Sequence, residues 1–198
     1  MIVSKSKSPS DKHSIAHQNW LSVEGVKVSF TMGHDGLNIY LNYHVEEPQV
    51  RAVNTSFNSP VWEDSCVEFF FAPAADKEYY YNFEINAIGT VLCGYGKDRH
   101  KREHLPDSVL TQVETLPSLG KKAIAGIWGD STWDLQVKIP IEVLVFHKIE
   151  NLSGLAAKGN FYKCGDKLEN PHYISWAPVR TSEPNFHLPE HFGELSFQ

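Results

Sequence analysis

At 198 residues, 41% hydrophobic and 21% charged, the chain has the length and composition of one globular unit rather than a disordered segment. Its formal net charge is -6, and its densest basic stretch, Lys97 to Arg102, is interrupted by Asp98. That balance excludes the sustained basic face of a nucleic-acid binder. No window reaches the roughly 20 apolar residues of a membrane-spanning helix. The opening MIVSKSKSPSDKHS lacks the apolar stretch of a signal peptide. A cytoplasmic chain is expected on that reading, or a periplasmic or extracellular one if a leader is removed before residue 1.

Residues 1–18 read as a polar tail or a leading edge strand. In 20–31, Val26, Val28 and Phe30 fall on one side. A Gly-containing turn at 33–36 then leads into a strand whose Leu37, Ile39, Leu41 and Tyr43 share a face, which is a hairpin signal. The stretch PQVRAVNTSFNSP reads as a polar loop. After it, Ser65–Phe71 alternates with Val67, Phe69 and Phe71 on one side and Cys66, Glu68 and Phe70 on the other. Pro73 and residues 74–77 close that strand.

Residues 78–93 carry the longest alternation. Tyr79, Tyr81, Phe83 and Ile85 face one way, and Tyr80, Asn82, Glu84 and Asn86 the other, a face expected to meet solvent. Gly89 marks a bend, and 97–108 reads as a surface loop. Short strands are expected at 109–115 and 122–128. A clean strand at 133–140 has Trp133, Leu135, Val137 and Ile139 inward, and one helical turn follows at 141–147. The last strands are 159–165, part of 172–179, and 194–197.

Nine or ten short strands set off by Gly, Pro, Asn and Asp predict an all-β fold, a two-sheet antiparallel β-sandwich of immunoglobulin or jelly-roll type, with a closed barrel as the alternative. With no repeat and no linker, residues 1–198 read as a single domain.

Three cysteines, Cys66, Cys93 and Cys164, form no disulfide framework and no zinc spacing, and they read as small buried hydrophobes. His100 and His104, and His187 and His191, are four apart, but neither segment reads as a helix, so neither pair is taken as a transition-metal site. Loop acids such as Asp64, Asp76, Asp98 and Asp130 offer oxygen to Ca²⁺ without an EF-hand pattern. GxSxG and phosphate-loop motifs are absent.

The informative stretch is Trp62-Glu63-Asp64-Ser65-Cys66-Val67-Glu68. Glu68 is a carboxylate inside an apolar strand, which is unfavourable unless it is hydrogen-bonded or opens on a groove. A loop tryptophan beside it supplies a ring face for sugar C–H groups, while polar side chains take the hydroxyls. Trp176, with His172 and Tyr173 nearby, is a candidate second wall. Trp20, Trp128 and Trp133 read as structural. A carboxylate pair such as Glu68 and Glu84 keeps a glycan hydrolase open as an alternative. His172, His187 and His191 keep open a protein- or cofactor-binding sandwich.

The run VWEDSCVEFFF, followed by YYYNFEINAIGT and later by NFYKCGD, HYISWAPV and PNFHLPEHFGELSF, resembles the carbohydrate-binding module family 9-like domains of bacteria, particularly the stand-alone ones, from about residue 20 to the end. The resemblance implies a β-sandwich that binds glycans without cleaving them. Trp62 matches the first of two sugar-stacking tryptophans and Glu68 the acid that bonds sugar hydroxyls. Trp176 is implied as the second tryptophan and Asn86 as a polar contact. The same resemblance implies structural calcium, with no ligands placed. It also implies a role in polysaccharide catabolism beside glycoside hydrolases or other glycan-utilisation proteins.

Overall fold

Alternation of inward apolar and outward polar residues builds fourteen strands in a computed structural model that describes residues 1–73 and 78–198. In chain order they are β1 (Ile2–Lys5), β2 (Lys12–Ile15), β3 (His17–Gln18), β4 (Lys27–His34), β5 (Asn38–Ala52), β6 (Cys66–Ala72) and β7 (Tyr80–Asn86). There follow β8 (Val91–Gly96), β9 (Arg102–His104), β10 (Glu114–Pro117), β11 (Ile124–Pro140), β12 (Ala156–Cys164), β13 (Tyr173–Ser175) and β14 (Gly193–Phe197). The turn expected at 74–77 lies outside the described residues, as does Asp76.

The strands form two sheets. One runs β10-β11-β5-β4, with β2 also on β4; the other runs β14-β12-β6-β7-β8-β9, with β13 on β12 and β3 on β13. β1 joins them. Its first half pairs with β14 (Ile2 with Ser196, Val3 with Phe197) and its second half with β4 (Ser4 with Gly33, Lys5 with His34). Both pairings are parallel in an otherwise antiparallel fold. The leading segment is therefore strand, and part of it is a seam between the sheets rather than an edge.

The core lies between the sheets. Phe30, Leu41, Tyr43, Leu135 and Val137 from one sheet meet Val67, Phe69, Phe83 and Phe161 from the other, all buried. Phe30 stacks on Phe161 at a centroid distance of 3.9 Å. Each such side chain contributes about 1.5–3 kcal/mol when taken from water. At one end of this layer Glu47 of β5 meets Lys163 of β12 at 2.8 Å, and the Trp133 Nε1–H donates to the other Glu47 oxygen at 2.6 Å. The pair is a polar tie between the sheets.

The back of the β6–β7 sheet is not the solvated face that the alternation suggested. Cys66, Phe70, Tyr80, Leu92, Tyr162 and Cys164 form a second buried cluster, covered by Val179, Phe186 and Phe192 from the irregular segment after β13. Asn82, Glu84 and Asn86 on this face are buried as well. Several boundaries also shift. PQVRA is not loop but the end of β5. Residues 78–93 are not one strand but the β7–β8 hairpin, whose turn uses Gly89 at φ +81°. The loop expected at 97–108 carries β9, and the strand expected at 109–115 is a helical turn over Asp107–Leu110 followed by β10. The expected strands at 122–128 and 133–140 are one strand, β11, with register shifts between Ile124 and Ser131.

Candidate functional site

Pro60 starts a 3-10 turn over Val61–Glu63, and that turn presents Trp62. The turn is held at both ends. The Asn54 Nδ2 donates to the Pro60 carbonyl at 3.0 Å, and the backbone N–H groups of Asp166 and Lys167 donate to the carbonyls of Trp62 and Glu63 at 3.2 and 3.0 Å. Just past it sits Asp64, fully buried. One of its oxygens accepts from Arg51, and the other from the backbone of Val53 and Asn54 and from the amides of Asn54 and Asn86. This knot fixes the Trp62 turn to β5 and β7.

Beside the turn, a cleft of about 190 Å³ opens. Trp62 lines it, together with Glu68, Glu84, Asp166, Arg99, Arg102, Tyr173, Phe186 and His187. Glu68 and Glu84 are direct register partners on β6 and β7, which places their side chains together on the back face. The Glu68 Oε1 accepts from the Cys164 thiol at 3.0 Å. The Glu84 Oε1 accepts from the Asn82 amide at 2.7 Å and lies 3.8 Å from Arg102. The Glu84 Oε2 is buried and has no hydrogen-bond partner among the described residues.

Burial dominates the electrostatics. It pushes the Glu68 carboxyl well above the usual carboxylate range, reinforced by the neighbouring Glu84. It pushes Glu84 up to about 7, with Arg102 pulling the other way. Asp166 is raised by burial and opposed by Arg99. His187 is lowered to about 2 by burial and then by Arg102. The Arg102 guanidinium lies close to both nitrogens of the neutral His187 ring, 2.8 Å from Nε2 and 2.9 Å from Nδ1, and the Tyr80 hydroxyl is 2.9 Å from Nδ1. The cleft thus combines one indole face with carboxyl groups that donate or accept, and with fixed guanidinium donors. That set suits a neutral polyhydroxy ligand.

Of the four residues expected at the site, the structure brings Trp62 and Glu68 together and leaves Asn86 and Trp176 elsewhere. Asn86 is fully buried, donating to the Asn54 carbonyl and Asp64 and accepting from the Thr90 N–H, so it has no face toward the cleft. Trp176 packs edge-on to Phe161 and Phe30 of the inter-sheet core and lies over Gly193, where an added Cβ would stand 2.4 Å from its ring. Tyr173 and Phe186 line the cleft instead. Glu84, Arg99, Arg102 and Asp166 complete the site. The last three come from stretches with no pattern that marks them. Of the other tryptophans, Trp133 is buried and Trp20 packs on Phe186, whereas Trp128 is 63% exposed and bonded to Glu169. His172 is a buried partner of Lys163 at 2.8 Å, lowered to about 3 by burial and that ammonium.

Among the described residues, Asp64, Asp98 and Asp130 do not gather with other acids at one point, and Asp64 has both oxygens occupied by protein donors. The group close enough to hold a metal is Cys66, Glu68 and Cys164. No helix among the described residues is long and apolar enough to cross a membrane.

Comparison with known proteins agrees with this architecture. The chain is 40% identical to a candidate carbohydrate-binding protein from Bacteroides uniformis ATCC 8492, with a TM-score of 0.90 over 95% of this chain and 86% of that one. Two structures of a family 9 carbohydrate-binding module from Caldicellulosiruptor kristjanssonii share the fold. The one in complex with glucose is 13% identical, with a TM-score of 0.64 over 100% of this chain and 95% of that one. The one with cellotriose is 12% identical, with a TM-score of 0.63 over 100% and 93%. No curated protein gives a significant match. The family model of carbohydrate-binding family 9 matches residues 5–197, and the chain belongs to that family, whose role is to bind carbohydrate without cleaving it.

Proposed function

We propose that the cleft beside Trp62 is the carbohydrate site and that it takes one terminal sugar ring of a glucose-configured glycan. The observation that carries this reading is the unspent acceptor at the Glu84 Oε2, buried in the floor of a cleft that also has an indole wall. A buried acceptor without a partner is unfavourable by about 1–3 kcal/mol, and a sugar hydroxyl donated to it removes that penalty. The cleft volume of about 190 Å³ is below the roughly 300–1,000 Å³ of sites for drug-sized ligands. It suits a chain end rather than a chain lying lengthwise. The glucose- and cellotriose-bound family modules support the choice of sugar. The same reading puts the protein beside glycoside hydrolases in bacterial polysaccharide breakdown.

The test is calorimetric titration with glucose, cellobiose, cellotriose and xylose oligomers, using wild type and Trp62→Ala. Saturable binding is expected, with glucose and cellotriose within about tenfold of each other, because added units project out of the cleft. Trp62→Ala is expected to weaken it by at least about 30-fold, the effect of losing roughly 2 kcal/mol at a central aromatic contact. Binding that survives the substitution moves the site, and a folded chain that binds none of the panel rejects the reading. The calcium implied by the family resemblance is tested on the same samples: a higher Tm in Ca²⁺ than in chelator supports it.

A further inference from the structure

The sequence presents three separated cysteines. The topology pairs two of them. Cys66 of β6 and Cys164 of β12 are direct register partners, and Glu68 lies two residues along β6 on the same face. All three are buried. One ligand atom from each, two sulfurs and a carboxylate oxygen, fall within 4.8 Å of one another, with the Cys164 Sγ 3.0 Å from the Glu68 Oε1. Around a tetrahedral zinc ion, with bonds of about 2.3 Å to sulfur and about 2.0–2.2 Å to oxygen, ligand atoms stand a little under 4 Å apart. The three residues are thus already gathered to nearly that spacing, on strands whose backbones are fixed by the sheet.

We propose that Cys66, Cys164 and Glu68 form a site for one thiophilic divalent cation of the Zn²⁺ class at the floor of the cleft. Glu68 and Cys164 line the cleft, which provides the entry path and leaves a fourth coordination position open to it. Two sulfurs and one carboxylate favour zinc or cadmium over calcium, which takes six to eight oxygens. On binding, two sulfur–metal bonds and one oxygen–metal bond form, and the two thiol protons leave to solvent together with the proton that burial keeps on the Glu68 carboxyl. The Cys164 S–H contacts with Glu68 and the Trp62 carbonyl, and the Cys66 S–H contact with the Val67 carbonyl, are then given up. The cation also offsets the crowding of Glu68 and Glu84. Cys93 lies in the inter-sheet core, outside this group, and serves as the internal control. The site shares Glu68 with the proposed sugar cleft but does not depend on sugar being bound there.

The experiment is a Cd²⁺ titration of the fully reduced chain without sugar, with metal either added to folded protein or present during refolding, followed by the ultraviolet sulfur-to-metal charge-transfer band. Saturation at one Cd²⁺ per chain is expected, with Zn²⁺ competing. Cys66→Ala and Cys164→Ala should each diminish the band and weaken uptake, whereas Cys93→Ala should keep it unchanged. Glu68→Gln should retain the band with affinity at least about tenfold weaker. Near-ultraviolet circular dichroism confirms folding, and serine variants replace any alanine variant that does not fold. Trp62→Ala should leave metal uptake intact, which separates failure of the sugar reading from failure of this one. The proposal is overturned by the absence of a one-equivalent band in the reduced wild type, by a band that persists when Cys66 and Cys164 are both replaced, or by one that disappears with Cys93.

Discussion

Two buried carboxylates, 20 residues apart in the chain, do opposite things. Asp64 is closed: an arginine, two backbone N–H groups and two asparagine amides occupy its oxygens. Glu84 is open: one oxygen accepts from Asn82, and the other has no partner among the described residues although it is buried. Both residues are nearly inaccessible, so burial does not distinguish them; the count of donors does. A carboxylate whose acceptors are all used holds a fold together. One with an acceptor left over beside a cleft is set for a ligand, and part of its free-energy deficit is recovered when the ligand arrives.

The largest effect should come from opening the closed one. Asp64→Ala strands the Arg51 charge and several buried donors, and is expected to destabilise the fold by about 3–5 kcal/mol, lowering Tm by roughly 10 °C for a chain of this size. Thermal and urea unfolding measure it, and a loss below about 1 kcal/mol would remove the structural role given to the knot. Glu84→Gln should do the reverse. The sugar affinity falls by about tenfold, the equivalent of one charged hydrogen bond at about 1.4 kcal/mol, while Tm at neutral pH holds or rises. A Tm drop like that of Asp64→Ala would erase the distinction.

The pH dependence sharpens it further. Burial raises the Glu84 carboxyl to about 7 in the folded chain, above its ordinary value near 4.5. The folded state therefore binds this proton more tightly than the unfolded state. The resulting stabilisation is complete below about pH 4.5 and is lost as pH rises through about 7. In chelator, wild type should lose Tm relative to Glu84→Gln between about pH 5 and pH 8. A constant difference across that range would show that Glu84 is ionised throughout. The smallest effect belongs to Trp128→Ala. This indole is mostly exposed on β11, and its removal should change stability by no more than about 0.5 kcal/mol and leave sugar binding unaltered.

Much of the fold was legible because strands write their facing into the sequence. Val67, Phe69 and Phe71 point to the inter-sheet core and Cys66 and Phe70 to the opposite side, as the period of two requires. Legibility failed where the period slips. In β5 the inward set passes from Val45 and Glu47 to Val50 and Ala52, with Pro48 between them, so its second half resembled a loop. In β11 a bulge around Gly129 resembled a turn. The site divides in the same way. Trp62 and Glu68 were readable because a turn tryptophan and an acid in an apolar strand are locally anomalous. Alternation placed Asn86 on the correct face of β7 but could not reveal that Asp64 waits beneath it. Arg99, Arg102, Asp166 and Tyr173 reach the cleft from distant loops and edges, and only the three-dimensional path of the chain unites them.

The seam strand β1 has a mechanical consequence. It lies parallel to β14, with Ile2 beside Ser196 and Val3 beside Phe197, so the two ends of the chain leave this pair in opposite directions. Tension applied between residues 1 and 198 loads the β1–β14 hydrogen bonds side by side, in shear, so that they must yield together instead of peeling one at a time. A chain pulled by its two ends would meet that load first at the strand that also joins its two sheets.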